Sequence, residues 1–196
     1  MANPPTELGA ELARAATGLT RLKRRFALVG GMAVSIRGEV RFTRDIDLAV
    51  EVASDADAER LVSDFAAGGY EIATLVEHDE RGRLATVRLR TRARLHVDLL
   101  VASSGIEAEI ARAATPVAIG DAGELPVAVA EDLLATKILS MSDRRPQDRL
   151  DAVCLLATNP GLDLEATRAR LRLITQRGFN RGHDLEARLA AVVATA

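Results

Sequence analysis

The residues of this chain best suited to chemistry are two aspartates, Asp45 and Asp47, in the run Arg44-Asp45-Ile46-Asp47-Leu48-Ala49-Val50. On a strand, alternation sends both carboxylates to one face and Ile46 and Leu48 to the other. Neighbouring carboxylates repel, so this placement makes most sense where an oxygen-preferring divalent cation neutralises them. Mg²⁺ suits the role, because it binds through one or two carboxylates and completes its shell with substrate phosphates. The bland alternative is a solvated Asp-x-Asp on an exposed strand, against which the apolar Ile46, Leu48 and Val50 argue.

The elements that must position this pair begin just upstream. Phe26 to Val29 is an apolar run fit for a buried strand, and it stops at Gly30-Gly31, which open a segment of helical spacing. Without Cβ atoms the chain can turn tightly there and aim amide N–H groups at an anion, aided by the positive end of the following helix. A phosphate-handling turn followed by a carboxylate strand is the expected arrangement.

Gly30-Gly31, a spacer and Asp45-x-Asp47 on a strand resemble the DNA polymerase β-like nucleotidyltransferase superfamily. Gly30-Gly31-x-Ala33 followed by Arg41-x-Thr43-x-Asp45-Ile46-Asp47-Leu48 is similar to the AbiEii/MenT group of nucleotidyltransferase toxins, in which Ser or Thr stands two positions before the first carboxylate. The superfamily uses a third acidic residue on a later strand, and Val97-Asp98-Leu99 has that pattern. A second match lies downstream in Glu131-Asp132-Leu133-Leu134-x-x-Lys137, then Arg144 or Arg145, then Asp148-x-x-Asp151. It resembles the family's helical Lys, Arg and acidic pair, with Gln147 where a Lys is usual.

The resemblance implies an α/β fold, a polymerase β-like mixed sheet followed by a C-terminal helical subdomain. It implies transfer of a nucleoside monophosphate from an NTP to an RNA acceptor, the tRNA 3′ end, by a translation-blocking toxin that has a cognate antitoxin as a possible partner. Asp45, Asp47 and Asp98 would hold two Mg²⁺ ions. Gly30, Gly31 and Ser35 would cradle phosphate beside Arg41 and Thr43, Lys137 would offset charge on the leaving pyrophosphate, and Asp148 and Asp151 would complete the nucleotide-binding set. Two alternatives remain: an antibiotic or protein hydroxyl as acceptor, or a catalytically silent nucleotide-binding regulatory domain. Retention of all three carboxylates argues against the silent domain.

Several residues carry two readings. Lys137 lies at the edge of the stripe Leu133, Leu134, Ile138 and Met141, and either reaches a triphosphate or is solvated. Asp148 and Asp151 share a helix face and either serve the nucleotide or pair with Arg144, Arg145 or Arg149. Thr43 projects with the carboxylates if the strand starts early, or else bonds the turn backbone. Arg21 to Arg25 either complement a helix end or contact RNA. Arg88, Arg90, Arg92 and Arg94 alternate with Leu89, Thr91 and Ala93, giving a cationic face on which Arg88 and Arg90 are expected to meet RNA phosphates, unless a turn near Thr91 to Ala93 breaks the phase. His96 shares a face with Asp98, although a lone histidine on a sheet usually just hydrogen-bonds.

At 196 residues and 48% hydrophobic, the chain suits one compact domain or two small ones. The expected division is a nucleotidyltransferase domain with its N-terminal helix over 1–129 and a helical subdomain packed against it over 130–196. A formal net charge of -2 excludes the strongly basic body of a general nucleic-acid binder. The single cysteine, Cys154, excludes an internal disulfide framework and a Cys-rich zinc site, fits a reducing cytoplasm, and is expected in the core. With no basic-then-apolar leader and no apolar run near the roughly 20 residues that span a bilayer, a soluble, cytoplasmic protein away from membranes is expected.

Periodicity and turn residues predict a helix from Glu7 to Arg25 and another opened by a capping box at Ser54-Asp-Ala-Asp57. Strands follow over Tyr70 to Glu77, Arg83 to Arg90 and Arg94 to Ala102, the first two joined by a turn over 78–82. A helix over Ile106 to Ala114 and brief strands over Thr115 to Gly120 and Leu125 to Val129 come next. Four helices finish the chain: Ala130 to Met141, Pro146 to Ala157, Leu164 to Gln176 and Asp184 to Val193.

Overall fold

The computed structural model describes residues 6–78 and 82–196. Helix α1, Glu7–Arg21, is opened by the Thr6 hydroxyl, which accepts from the Gly9 amide at 3.1 Å, and it buries Leu12, Ala15 and Leu19. It ends short of Arg25, because Lys23 takes a left-handed φ of 55° and turns the chain toward strand β1, Phe26–Val29. The basic cluster expected to be solvated or on RNA is partly structural instead. Arg24 donates to both oxygens of Asp57 at 2.6 and 2.8 Å, and Arg25 lies 3.8 Å from Glu51.

Asp57 belongs to helix α3, Asp55–Ala67, whose N-terminus the Ser54 hydroxyl caps by accepting from the Asp57 amide at 3.2 Å. Its carboxylate does not return to the Ser54 amide as a capping box would; it accepts from the Ala53 amide at 3.0 Å and from Arg24. Hydrogen bonds from Arg24 and then Ala53 hold this carboxyl well below the usual carboxylate range. A lowered pKa means that its stabilisation is present above the ordinary range and is lost as pH falls through the lowered value. Asp57→Asn is therefore expected to cost about 2–3 kcal/mol at neutral pH, and denaturation curves of variant and parent should converge in acid. A constant gap across the pH range would remove the ion pair as its cause.

Sheet construction follows the buried runs. Helix α2, Gly30–Arg37, leads from β1 to β2, Asp45–Val50, and the two strands pair antiparallel with Val29 opposite Asp47. Strands β3, Glu71–His78, and β4, Arg83–Arg90, form a hairpin, and β5, His96–Leu100, returns beside β4. The turn expected between β3 and β4 falls mainly on residues 79–81, outside the described residues. Helix α4, Glu107–Ala113, then leads to strands β6, Thr115–Ala118, and β7, Glu124–Val127. The described strands make one mixed sheet in the order β3-β4-β5-β2-β1-β7-β6.

Helices α5, Ala130–Ser140, α6, Pro146–Thr158, α7, Leu164–Gln176, and α8, Leu185–Val193, follow. Their apolar faces join the sheet in a continuous core: Leu133, Leu134 and Ile138 of α5 are fully buried together with Leu28, Ile46 and Leu48. The Asp163 and Asp184 carboxylates cap α7 and α8 by accepting from backbone amides of the first turn. Two core expectations are corrected. Met141 is only partly buried because α5 ends before it, and Cys154 lies half-buried on α6, its Sγ accepting from the Glu39 amide at 3.2 Å. Among the described residues no helix is long and apolar enough to cross a membrane.

Candidate active site

The parallel pairing of β2 with β5 sets Asp45 opposite His96 and Asp47 opposite Asp98, and the antiparallel pairing of β5 with β4 sets Asp98 opposite Arg88. Cross-strand partners share a face, so Asp47, Asp98 and Arg88 stand in a row across three strands, with Asp45 one pleat repeat along. The opposite face, with Ile46, Leu48, Val97 and Leu99, is fully buried. Alternation alone thus produces a polar row on an apolar support.

Gly30 explains why this row tolerates a turn beside it. It takes a left-handed φ of 63°, and a Cβ there would overlap the Asp47 carboxylate. The expected role of the glycine pair was to let phosphate approach; in this structure the room over Gly30 is filled by Asp47, and that over Gly31 by the Arg41 guanidinium and the Thr43 hydroxyl, 2.7 and 2.9 Å from a built Cβ. Gly30→Ala is expected to lower kcat/KM at least tenfold and to cost more than about 1 kcal/mol, from strain and displacement of Asp47 together. A melting curve and turnover both like the parent's would mean Asp47 moves aside freely.

Thr43 lies in the loop before β2, which begins at Asp45, so strand alternation does not place it; its hydroxyl stands over Gly31 instead. Ser35 is tied into the same corner. Its hydroxyl lies 3.0 Å from the Gly31 carbonyl and accepts from the Arg41 amide at 3.3 Å.

Charge around the carboxylates is distributed unevenly. Burial, then the negative field of Asp98 and, less strongly, Asp45, push the Asp47 carboxyl up to about 6, against the opposing positive fields of Lys137 and Arg88. Arg88 grips Asp98 through two hydrogen bonds of 2.8 and 2.6 Å and reaches to 3.8 Å from Asp45. Arg90 is paired with Glu71 across the β3–β4 hairpin. The strand ends at Arg90, and Arg92 and Arg94 fall in a turn, so the uniform cationic strand face expected over 88–94 is not formed. His96 Nδ1 stands 3.6 Å from Asp45.

Lys137 is not at an exposed helix edge. Its ammonium is buried between Asp148 at 2.7 Å and Asp151 at 2.8 Å, on α6. Asp151 also takes Arg41 at 2.8 Å and the Gln147 amide at 2.9 Å. Burial pushes this carboxyl up, but hydrogen bonds from Gln147, Lys137 and Arg41 outweigh it and hold the group below its ordinary value. The partners expected for the acidic pair from sequence spacing, Arg144, Arg145 and Arg149, are not the ones used. The residue in the family's Lys position, Gln147, supplies a neutral donor to the same carboxylate.

The donor set suits a hard cation: carboxylate oxygens with no sulfur and a charge on Asp47 that its surroundings leave undercompensated. Among the described residues no three acidic or imidazole side chains already converge as a closed cage. Asp98 is engaged by Arg88.

A cavity of about 1020 Å³ opens over the Asp98 side of the row. Its floor carries Asp47, Arg88, Asp98 and Thr86, and its far wall carries Arg145, Asn180 and Arg181. Sequence reasoning named Arg145 only as a motif residue or a partner of the acidic pair, and missed Asn180 and Arg181. The signal was present in Gly178 and Gly182, which take left-handed φ values of 74° and 72° and bracket a short polar loop.

Comparison with known proteins gives the family and the fold. The model of the family described as nucleotidyl transferase AbiEii toxin, type IV toxin–antitoxin system, matches residues 14–193. Among solved structures, an antigenic nucleotidyltransferase-like protein from Paracoccidioides brasiliensis is similar at a TM-score of 0.52 and 20% identity, covering 94% of this chain and 93% of that one. The lincosamide antibiotic adenylyltransferase LnuA, with lincomycin bound, is similar at a TM-score of 0.50 and 17% identity, covering 80% of this chain and 99% of that one. At such identities the likeness is one of fold. No curated protein matches the chain. Since the family match runs from within α1 to the end of α8 and so takes in the carboxylate row, the glycine turn and the Lys137 cluster together, the chain belongs to the AbiEii family and is a nucleotidyltransferase.

Proposed function

We propose that this nucleotidyltransferase moves a nucleoside monophosphate from an NTP onto an RNA 3′ hydroxyl, that of tRNA, in a Mg²⁺-dependent reaction by which a toxin blocks translation. The observation that carries this reading is the carboxylate row with a basic-walled cavity on one side and the Gly30 turn on the other. The cavity lining carries Arg88, Arg145 and Arg181 against Asp47, Glu77 and Asp98, so the attraction for an anion is local to the Arg145 and Arg181 wall, which suits a phosphate of the acceptor better than a cationic drug.

Asp45 and Asp47 would hold one metal ion, and Asp98 with them a second, once Arg88 yields its hold. Bound there, the metal would draw charge from the triphosphate and lower the pKa of the attacking hydroxyl. The remaining work falls to the chain. Gly30, Gly31 and Ser35 shape the donor side, where Arg41 and Thr43 border the nucleotide. Lys137, fixed by Asp148 and Asp151, sets a positive charge near Asp47 that offsets charge on the departing pyrophosphate. The new bond joins the acceptor oxygen to the α-phosphorus, and the bond from that phosphorus to the pyrophosphate oxygen breaks. Residues 130–196 act as a helical subdomain that carries Lys137 and the cavity's far wall to the sheet.

Incubating the purified protein with each α-labelled NTP, Mg²⁺ and total tRNA tests the reading. Label is expected on tRNA, and not on tRNA whose 3′-terminal diol has been oxidised with periodate before the reaction. Label on a protein or a small-molecule hydroxyl instead, with tRNA unmodified, would overturn the acceptor assignment.

A further inference from the structure

The far wall of the cavity holds arginines whose side chains meet no carboxylate at ion-pair distance among the described residues. Arg145 lies at the start of α6, Arg181 in the loop between α7 and α8, and Arg188 on α8 behind them. Among the described residues the Arg145 side chain has no hydrogen-bond or ion-pair partner, the Arg181 guanidinium donates only to the Ser103 carbonyl at 3.2 Å, and the Arg188 guanidinium only to the carbonyls of Ile138 and Leu139 at 3.3 Å. Elsewhere around the site arginines meet carboxylates: Arg41 on Asp151, Arg88 on Asp98 and Arg90 on Glu71. Here Arg145 and, less strongly, Arg188 act on Arg181 with like charge, and Glu107 and Asp148 offset part of it without forming an ion pair with it. Two arginines facing a cavity without a carboxylate paired to either suit an anion at that wall, while the acids of the lining, Asp47, Glu77 and Asp98, lie on the sheet.

Loop geometry points the same way. Arg181 is held at a left-handed φ of 54°, where an arginine is uncommon. Neighbours secure the loop: Phe179 is buried and stands edge-on to His78 at 4.8 Å, and Arg177 pairs with Glu109 at 2.7 Å. Strain of this kind persists only where surrounding structure enforces it, and it presents Arg181 to the cavity that Asp47 and Asp98 floor.

The side of the row is decisive for what the anion is. The cavity runs from β2 over β5 and β4 to β3, away from β1 and the Gly30 turn. Resting on the proposed function, that is the acceptor side. We propose that Arg145 and Arg181 form a phosphate subsite that grips a backbone phosphodiester of the single-stranded RNA acceptor and leads its 3′ end toward Asp98. Two guanidiniums facing one cavity suit a phosphodiester, since each offers a planar fork of donors to phosphate oxygens.

Anisotropy of a 5′-fluorescein single-stranded RNA, over a salt series, tests the subsite with the double variant Arg145→Ala, Arg181→Gly. Glycine accepts the left-handed φ, so this variant keeps the fold, and an unchanged melting temperature verifies that. Binding is expected to weaken at least tenfold at low salt, and the log–log salt slope to flatten by roughly 0.7 for each arginine lost. Affinity for NTP, measured by calorimetry in the same samples, should not change. Unchanged RNA affinity and slope would overturn the subsite, as would a loss confined to NTP or to pyrophosphate, which would make these arginines donor-side ligands. Failure of the wild-type protein to label tRNA, with RNA binding and its arginine dependence intact, would instead overturn the acceptor chemistry and leave the subsite standing.

Discussion

Asp47→Asn is expected to abolish nucleotidyl transfer, by roughly 10³-fold or more, while leaving the metal-free protein folded and slightly more stable. The first effect follows because a metal-held charge contributes several kcal/mol to the transition state, and each 1.4 kcal/mol or so is a factor of ten in rate. The second follows from the surroundings of the carboxylate. Burial first, then Asp98 and Asp45, raise its pKa to about 6, so at neutral pH its ionised form works against the fold. An acid whose folded pKa is raised contributes stability only while protonated, and that contribution is lost as pH rises through about 6. Asparagine keeps the shape and removes the charge. A gain of about 1 kcal/mol, or roughly 2–4 °C in Tm for a chain of this size, is expected in EDTA. Near-parental turnover in Mg²⁺ would remove Asp47 from the metal set, and a lower Tm in EDTA would show that the ionised group supports the fold.

Asp151→Ala should have the largest effect on stability, about 3–5 kcal/mol. Its side chain is 1% exposed and joins three donors from separate parts of the chain: Arg41 before β2, Lys137 on α5 and Gln147 on α6. Removal leaves Arg41 without its carboxylate and the buried Lys137 with Asp148 alone. Asp148→Ala should cost less, because Lys137 would keep Asp151, and Gln147 and Arg41 would be untouched. Urea denaturation of both variants decides the order, and a larger loss for Asp148→Ala would move the hub to that residue. Because hydrogen bonds hold the Asp151 pKa below its ordinary value, the gap between Asp151→Ala and the parent should narrow as pH falls into the acid range.

These two sites share an electrostatic logic. Lys137 and Arg88 lower the field at Asp47, yet Lys137 is itself held by Asp148 and Asp151, and Arg88 by Asp98. An incoming triphosphate with its cation would therefore exchange ion-pair partners within a structured network, a small net change in charge for a large change in who neutralises whom. Arg145 and Arg181 across the cavity are different, since among the described residues no carboxylate is paired with either and must be displaced before they take an anion.

Much of the fold was legible in the residues themselves. Apolar runs ending at Gly30-Gly31, alternation at Asp45-Ile46-Asp47 and Val97-Asp98-Leu99, and Pro146 and Asp163 at helix starts each act through contacts a few residues apart, so local periodicity determines them. Helix α7 matches its expected bounds at both ends, and the other helices and strands agree within a few residues. Strand alternation likewise determined that Asp45 and Asp47 face one way. What only the tertiary structure decided is who meets whom across the chain. Arg41 pairs with Asp151 over a separation of 110 residues, Arg24 with Asp57 over 33, and Arg88 with Asp98 through strand register. Sequence shows that such cations exist and are near a motif, but not whether each meets a carboxylate, water or ligand. Nor does it show that the loop over 178–182 would wall the cavity above Asp98, because that depends on how α7 and α8 pack against the sheet. Backbone conformation is set by neighbours along the chain, whereas charge compensation is set by neighbours in space, and only folding brings those together.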